Sequence, residues 1–201
     1  MLDGAAKRAI QPGLDRVGRS LAKRGASADL VTIVGLAVGA CAAIAVVMHL
    51  VWTALVLILA SRALDGLDGA VARATAPSDF GGFLDIVLDF AFYGLVPLAF
   101  ILLDPAANGM AGGLLLLSFY VNGASFLAFA TIAQKRRLSS EARGPKSFYF
   151  TTGLAEATET LAVFVAFCLF PAQFPLIATI FALVCFYTAL SRIVMAYGLF
   201  R

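Results

Sequence analysis

The chain has 201 residues and a net charge of +3, with 61% hydrophobic residues and only 13% charged residues. Soluble globular proteins carry about 25% charged residues, so this chain has too few polar side chains to cover a water-facing surface. A soluble enzyme, a disordered chain and a disulfide scaffold are therefore excluded, and the composition indicates an integral membrane protein.

The N-terminal residues predict a basic amphipathic helix. Ile10, Leu14, Val17 and Leu21 recur at spacings of four, three and four residues and form one apolar stripe. The basic side chains lie opposite or beside this stripe, which is typical of helices in the lipid headgroup layer. A solvated basic tail is the alternative, because the Pro12-Gly13 pair weakens the helix in its middle.

Six further stretches predict membrane-spanning helices, each of which needs about 20 mostly apolar residues. They cover residues 30–49, 51–72, 82–103, 109–133, 148–170 and 174–199. The expected fold is all-α, with the interfacial helix in a juxtamembrane segment (residues 1–28) and six transmembrane helices in a catalytic domain (residues 29–201). Most connections are short and suit antiparallel helix pairs, and only residues 134–147 form a long polar segment.

The positive charges predict how the chain is oriented in the membrane. All 15 Lys and Arg residues fall in the N-terminal segment, in residues 134–147, or at the ends of the second and sixth predicted spans. Because short cytoplasmic loops accumulate Lys and Arg, both termini and the active site are expected on the cytoplasmic side. We expect a multi-pass protein of the bacterial inner membrane.

Four carboxylates are predicted to form a metal site. Asp65 and Asp68 are three residues apart and Asp85 and Asp89 are four apart, so each pair shares one face of a helix. The short connection between the two helices makes them antiparallel neighbours, which brings the four acids together. Carboxylates near hydrocarbon are tolerated when a cation neutralises them, and oxygen ligands favour Mg²⁺ or Mn²⁺.

A salt-bridge cluster is the structural alternative for these acids. Arg62 and Arg73 lie on the same predicted helix as Asp65 and Asp68. Two arginines cannot balance four close carboxylates, so the metal site is preferred.

Small residues next to the carboxylates predict space for a ligand. Gly69 lies four residues after Asp65, and Arg73 lies four after Gly69, so one helix face carries a carboxylate, a gap and a cation. Together with Gly66, this gap suits a flat ring and a diphosphate, although glycines in membrane helices also serve helix packing. A divalent metal and an arginine on phosphate oxygens are the recurrent arrangement for phosphoryl transfer.

These residues form a pattern, D-x-x-D-G-x-x-A-R followed by G-x-x-x-D-x-x-x-D, that resembles the signature of the CDP-alcohol phosphatidyltransferase family. The matching positions are Asp65, Asp68, Gly69, Ala72, Arg73, Gly81, Asp85 and Asp89. The spacer between Arg73 and Gly81 is one residue shorter than the family spacing. Asp29 and Thr32 also resemble the family's entry into the first span, although its usual proline is absent here.

The resemblance implies an enzyme of phospholipid synthesis that transfers a phosphatidyl group from CDP-diacylglycerol to a small alcohol and releases CMP. It implies Mg²⁺ or Mn²⁺ as the cofactor, held by Asp65, Asp68, Asp85 and Asp89, with Asp89 also acting as the catalytic base. The implied nucleotide-binding residues are Asp29, Thr32, Asp68, Gly69, Ala72, Arg73 and Gly81. We expect membrane lipid and a second copy in a homodimer as further partners, and no nucleic acid.

The acceptor alcohol is less well defined by the sequence. Candidate acceptor-binding residues at the cytoplasmic ends of the last spans are Lys135, Arg137, Lys146, Glu156, Glu159 and Arg192. Basic residues suit a phosphorylated acceptor, such as glycerol 3-phosphate or inositol phosphate, and the glutamates suit a neutral or amino-alcohol acceptor. We favour the phosphorylated one.

The glutamates and Arg192 could each have a structural role in place of acceptor binding. The two glutamates fall inside a predicted apolar span and could pair with Lys146 or Arg192, and Arg192 could instead extend to the interface. A divalent-cation transporter is the alternative function. It would need acids along a path through the membrane, and Asp104 is the one acid on the predicted outer side.

Overall fold

The computed structural model describes residues 2–136 and 154–201, with side chains from residue 10 onward. In this part of the chain the structure is helical, and we number its helices α1 to α7. They are α1 (Leu2–Lys23), α2 (Ala28–Val47), α3 (Val51–Ala74), α4 (Asp79–Leu103), α5 (Pro105–Lys135), α6 (Ala157–Leu169) and α7 (Phe174–Phe200), with a 3₁₀ turn at Pro171–Gln173.

The membrane character of the chain is clear from these helices. Four segments are long and apolar enough to cross a membrane, namely Ala28–Val47, Asp79–Leu103, Pro105–Lys135 and Pro171–Phe200. The α3 helix has sufficient length, but residues 62–73 of it carry two arginines and two aspartates. The α6 helix has 13 residues. The chain is therefore a multi-pass membrane protein, and the total of six spans stays a prediction.

The predicted fifth span starts too early. Residues 148–153 lie outside the described residues, but residues 154–156 are described and are not helical, because α6 begins at Ala157. Glu156 is thus the residue that precedes the helix, and Glu159 is in its first turn. Acidic side chains are favoured at a helix N-terminus by the helix dipole, which gives the two glutamates a structural reason to be there.

The helix ends near the site follow from local side-chain chemistry. Ser27 caps α2 by accepting a hydrogen bond from the Leu30 amide, and Ser78 caps α4 by accepting one from the Gly81 amide. The α1 helix ends where Gly25 adopts a φ of +82°, and the Gly25 and Ala26 amides bond back to the last turn as in a Schellman motif. These caps fix where α1 ends and where α2 and α4 begin.

The core lies between α2, α3, α4, α5, α6 and α7. Its largest fully buried side chains include Phe92, Phe100, Phe164, Phe167 and Phe174, which pack ring against ring. Many other large apolar side chains are exposed on the outside of the helices, as expected where lipid covers them.

The N-terminal helix is present and runs through Pro12, contrary to the weakening that we expected there. A proline removes one internal hydrogen bond, which the rest of a 22-residue helix tolerates here. The predicted stripe is divided: Leu14 is partly buried, whereas Ile10 is 58% exposed and Val17 is 50% exposed. A position of α1 in the headgroup layer, and the domain boundary at residue 28, stay predictions.

Candidate active site

Three aspartates from two helices converge near the start of α4. Asp65 and Asp68 lie one turn apart on α3, and Asp85 lies near the beginning of α4. One carboxylate oxygen from each residue lies within 4.8 Å of the other two. The α3–α4 hairpin therefore brings three of the four predicted metal-binding carboxylates together, and we call them the aspartate triad.

The triad fits a hard cation. Asp68 is only 5% exposed; its Oδ1 accepts a hydrogen bond from the Gly69 amide, whereas its Oδ2 is buried without a hydrogen-bond partner among the described residues. A buried carboxylate oxygen without a partner is unfavourable, and a bound cation removes that cost. Oxygen donors of this kind suit Mg²⁺ or Mn²⁺. No ion pair within residues 10–136 and 154–201 involves Asp68 or Asp85, so a salt-bridge cluster explains neither.

Asp89 lies beside the triad and is bound by an arginine. The Arg62 Nη1 atom is 2.6 Å from Asp89 Oδ1 and 3.3 Å from Asp65 Oδ1. The Arg62 guanidinium also lies over the buried Phe92 ring, 3.7 Å from its centroid, in a cation–π contact. Arg62 is thus fixed between the site and the core, where it neutralises part of the negative charge.

From the sequence, Arg62 was considered only as a partner in the alternative salt-bridge cluster. The ion pairs of Arg62 with Asp65 and Asp89 are the part of that alternative that the structure shows, and the position of Arg62 one turn before Asp65 is a sequence signal for the first of them. A small cavity adjoins this arginine. It is lined by Thr32, Gly35, Leu36, Arg62, Asp65, Leu88 and Asp89.

The predicted nucleotide-binding residues come from the starts of α2 and α4 and from the second half of α3. Thr32 lines the cavity, and Asp29 lies one turn earlier on α2. The Asp29 Oδ1 atom is 3.0 Å from the point where a Cβ on Gly81 would lie, so a side chain at position 81 would press on Asp29. Ala72 is partly buried on α3. The starts of α2 and α4 and the end of α3 thus meet at one place.

Arg73 is held by the N-terminal helix, a contact that was not foreseen from the sequence. Its Nη2 atom donates a hydrogen bond to Asp15 Oδ1 at 3.0 Å, and the Gln11 side chain donates to the same oxygen at 3.0 Å. The hydrogen bond from Arg73 is the main cause that lowers the pKa of Asp15, followed by the bond from Gln11. Asp15 is therefore ionised at neutral pH, and the pair is a salt bridge.

The two glycines of α3 have different surroundings. A Cβ on Gly66 would lie 2.9 Å from Leu14 Cδ1, so this position accommodates α1 and is not open to a ligand, contrary to our interpretation. A Cβ on Gly69 would lie 3.2 Å from Arg73 Nη1, so the space over Gly69 holds a flexible guanidinium. The predicted gap is thus confined to Gly69.

The predicted acceptor-binding residues are not all within the described part of the chain. Arg137 and Lys146 lie outside it, and Lys135 is exposed in the last turn of α5. Glu159 is partly buried, and its Oε2 atom has no hydrogen-bond partner among the described residues. A pairing of the glutamates with Lys146 therefore stays untested.

Arg192 is half-buried on α7 and contacts neutral oxygens of α5. Its Nη1 atom donates to the Asn122 carbonyl at 3.0 Å, to Asn122 Oδ1 at 2.9 Å and to Ser125 Oγ at 2.6 Å. Among the described residues it forms no ion pair, so the alternative in which it pairs with a glutamate is not found.

Comparisons with known proteins identify relatives of this chain. The chain is 47% identical over 197 residues to the inner membrane protein YnjF of Escherichia coli K12, covering 98% of this chain and 96% of YnjF. Over 81 residues it is 37% identical to the archaetidylinositol phosphate synthase of Pyrococcus horikoshii, covering 40% of this chain and 43% of that protein.

A solved structure has the same fold. The crystal structure of the Mycobacterium tuberculosis phosphatidylinositol phosphate synthase PgsA1, with CDP-DAG bound, superposes with a TM-score of 0.64 at 22% identity. The match covers 90% of this chain and 91% of that one. The family model for CDP-alcohol phosphatidyltransferase matches residues 26–199, which is most of the chain. The chain therefore belongs to the CDP-alcohol phosphatidyltransferase family.

Proposed function

We propose that this protein transfers a phosphatidyl group from CDP-diacylglycerol to a small phosphorylated alcohol in the bacterial inner membrane and releases CMP. The observation that carries the proposal is the aspartate triad in the α3–α4 hairpin, with its buried Asp68 oxygen that has no described partner and with Arg73 in the last turn of α3. Membership in the family supports the type of reaction. The choice of donor is supported by the CDP-DAG that is bound in the PgsA1 crystal structure.

Each residue of the site has its own role in the proposed reaction. Asp65, Asp68 and Asp85 would hold Mg²⁺ or Mn²⁺, which would supply charge neutralisation for the diphosphate of the donor. Arg73 neutralises further phosphate charge, and the gap at Gly69 leaves room for the nucleotide beside it. Asp89 accepts the proton of the acceptor hydroxyl, and Arg62 keeps that carboxylate in place.

The test of this proposal is a reconstitution with purified protein. Protein in lipid vesicles is given CDP-diacylglycerol, Mg²⁺ and one acceptor at a time, and both CMP and the lipid product are measured by mass spectrometry. We expect CMP release coupled to a new phospholipid with at least one phosphorylated acceptor. Absence of CMP release across a panel of phosphorylated, neutral and amino alcohols would contradict the proposal.

A phosphorylated acceptor is supported by the surroundings of Arg192. The described partners of this half-buried cation, Asn122, Ser125 and the Phe126 ring, are all neutral, so its charge is available to an anion. The glutamates that suited a cationic acceptor have a structural explanation at the start of α6. Neutral and amino-alcohol acceptors are therefore the second choice.

Replacement of Arg192 tests the acceptor directly. We expect Arg192→Gln to raise KM for the phosphorylated acceptor by about 10-fold or more, since a hydrogen bond to a charged group contributes about 1.5–3 kcal/mol. Steady-state kinetics with glycerol 3-phosphate, or with the acceptor found in the panel, measure this change. Arg192→Lys keeps the charge and is the matched control, with a smaller expected increase. An unchanged KM in Arg192→Gln would place the acceptor phosphate elsewhere.

Membership in the phosphatidyltransferase family favours the transferase over the divalent-cation transporter. Asp104, the one acid on the predicted outer side, caps α5 by accepting a hydrogen bond from the Ala107 amide. The three acids of the triad offer carboxylate oxygens within 4.8 Å of one another, which suits a single metal site.

A further inference from the structure

The N-terminal helix is packed closely on the helix that carries the site. A Cβ on Gly18 would lie 2.7 Å from Ala70 Cβ and 2.8 Å from the Ala70 carbonyl carbon, so only glycine allows this approach. One turn earlier, Leu14 fills the space over Gly66. The two contacts are four residues apart on both helices, and α1 therefore runs alongside α3 in the same direction.

This packing brings Asp15 to the end of α3. Asp15 follows Leu14 in the sequence and reaches Arg73, which lies three residues after Ala70. Gln11, one turn earlier on α1, donates to the same Asp15 oxygen and fixes the carboxylate from the other side. The result is a chain of hydrogen bonds from Gln11 through Asp15 to Arg73.

Asp15 determines where the Arg73 guanidinium lies. The Arg73 side chain is 52% exposed and belongs to the last turn of α3, where an unrestrained arginine would sample many rotamers. Bound to Asp15 through Nη2, it instead places Nη1 over Gly69, at the predicted nucleotide gap. A guanidinium has five N–H donors, so one bond to Asp15 leaves others for phosphate oxygens.

We propose that Asp15 is a positioning residue that holds Arg73 over Gly69 for the diphosphate of the nucleotide, so that α1 is part of the nucleotide site. The inference rests on the proposed function. It names a residue outside the family signature whose contribution acts through Arg73. Fixing a side chain before the ligand arrives raises affinity, because binding no longer has to restrict that side chain.

The opposing effect is repulsion between Asp15 and the diphosphate. The Asp15 side chain is 32% exposed, and a charge in contact with water is screened strongly. Arg73 also lies between this carboxylate and the Gly69 gap. The positioning effect is therefore the larger of the two.

A double-mutant cycle tests the proposal. Full-length protein is titrated with CDP in the presence of Mg²⁺, and KM for CDP-diacylglycerol and kcat are measured for wild type, Asp15→Ala, Arg73→Ala and the double variant. We expect Asp15→Ala to weaken CDP binding and raise KM about 2- to 5-fold, the range of an exposed ion pair, with kcat unchanged. In the Arg73→Ala background the same substitution should have no further effect.

Three other variants sharpen the result. Asp15→Asn keeps an oxygen that can accept the Arg73 hydrogen bond, so its affinity should fall between those of wild type and Asp15→Ala. Arg16→Gln changes an exposed charge on the same helix and should leave CDP affinity unchanged. Gly18→Leu should move α1 away from α3 and weaken CDP binding like Asp15→Ala, with the thermal midpoint measured to show that the variant is folded.

The outcomes separate this inference from the proposed function. Wild-type protein that binds CDP only as tightly as Asp15→Ala would overturn the inference and leave the proposed function intact. Tighter binding by Asp15→Ala would also overturn it, because Asp15 would then compete with the diphosphate. Wild-type protein that neither binds CDP nor releases CMP would overturn the proposed function, and this inference with it.

Discussion

Asp65→Asn, Asp68→Asn and Asp85→Asn are each expected to lose about 10²- to 10³-fold in turnover, the scale on which a single preorganised electrostatic contact acts. Each substitution removes one negative charge from three carboxylates whose oxygens lie within 4.8 Å of one another. Asn keeps the size of the side chain but binds a divalent cation weakly. Initial rates of CMP release over a range of Mg²⁺ concentrations measure the effect, and more Mg²⁺ should be needed for half-maximal activity.

Chelation is the companion experiment. EDTA should abolish turnover of the wild type, and added Mg²⁺ or Mn²⁺ should restore it. Asp79→Asn is the matched control, because Asp79 is an exposed acid in the first turn of α4 and lies outside the aspartate triad. Full activity of metal-free protein, or equal losses in Asp79→Asn and the triad variants, would contradict a metal site at the triad.

The active-site hairpin is the part of the structure that sequence predicts best. Helical spacing alone places Asp65 with Asp68 on one face, and a short connection places their helix beside the one with Asp85. Both constraints are local, and the structure shows the three carboxylates together. A buried oxygen without a partner on Asp68 could not be foreseen, because burial depends on neighbouring helices.

Contacts between distant segments were not predictable in the same way. Arg73 pairs with Asp15, 58 residues away in the sequence, because Gly18 lets α1 approach Ala70. Periodicity marked Leu14 as part of an apolar stripe but could not identify Gly66 as the position that it covers. The glycine was therefore assigned to a ligand, when a neighbouring helix fills its space.

The start of α6 illustrates a third limit. Hydropathy extends the predicted span back to residue 148, since aromatic and small residues precede Glu156 without a break. Among the described residues the helix begins only at Ala157. Average hydropathy does not indicate where a helix starts. The acids Glu156 and Glu159 do indicate it, because acidic side chains are favoured at a helix N-terminus.

Asp89 lies outside the aspartate triad and is held by Arg62. Asp89 bonds to Arg62 at 2.6 Å, and it is not one of the three carboxylates that approach within 4.8 Å of one another. Asp65 is shared between the two groups, since Arg62 lies 3.3 Å from it. The structure thus offers a carboxylate that is fixed close to the triad, which is the placement a general base requires.

Asp89→Asn is therefore expected to bind CDP-diacylglycerol nearly as wild type does, while its transfer rate falls by about 10²- to 10⁴-fold, the usual contribution of general base catalysis. Asn retains an oxygen that can accept the Arg62 hydrogen bond, so the geometry is preserved and the basic carboxylate is lost. Isothermal titration with CDP, set beside turnover for the same preparations, separates binding from chemistry.

The triad variants provide the comparison for this result. Asp65→Asn and Asp68→Asn should weaken metal and nucleotide binding directly, because their carboxylates belong to the triad. If Asp89→Asn loses CDP binding as completely as they do, Asp89 acts mainly as a metal ligand or in holding Arg62, and the base lies elsewhere in the site. Retained CDP binding with slow transfer would instead assign the proton transfer to Asp89. Arg62 and the triad would then be intact, and the acceptor hydroxyl alone would lack a group to take its proton.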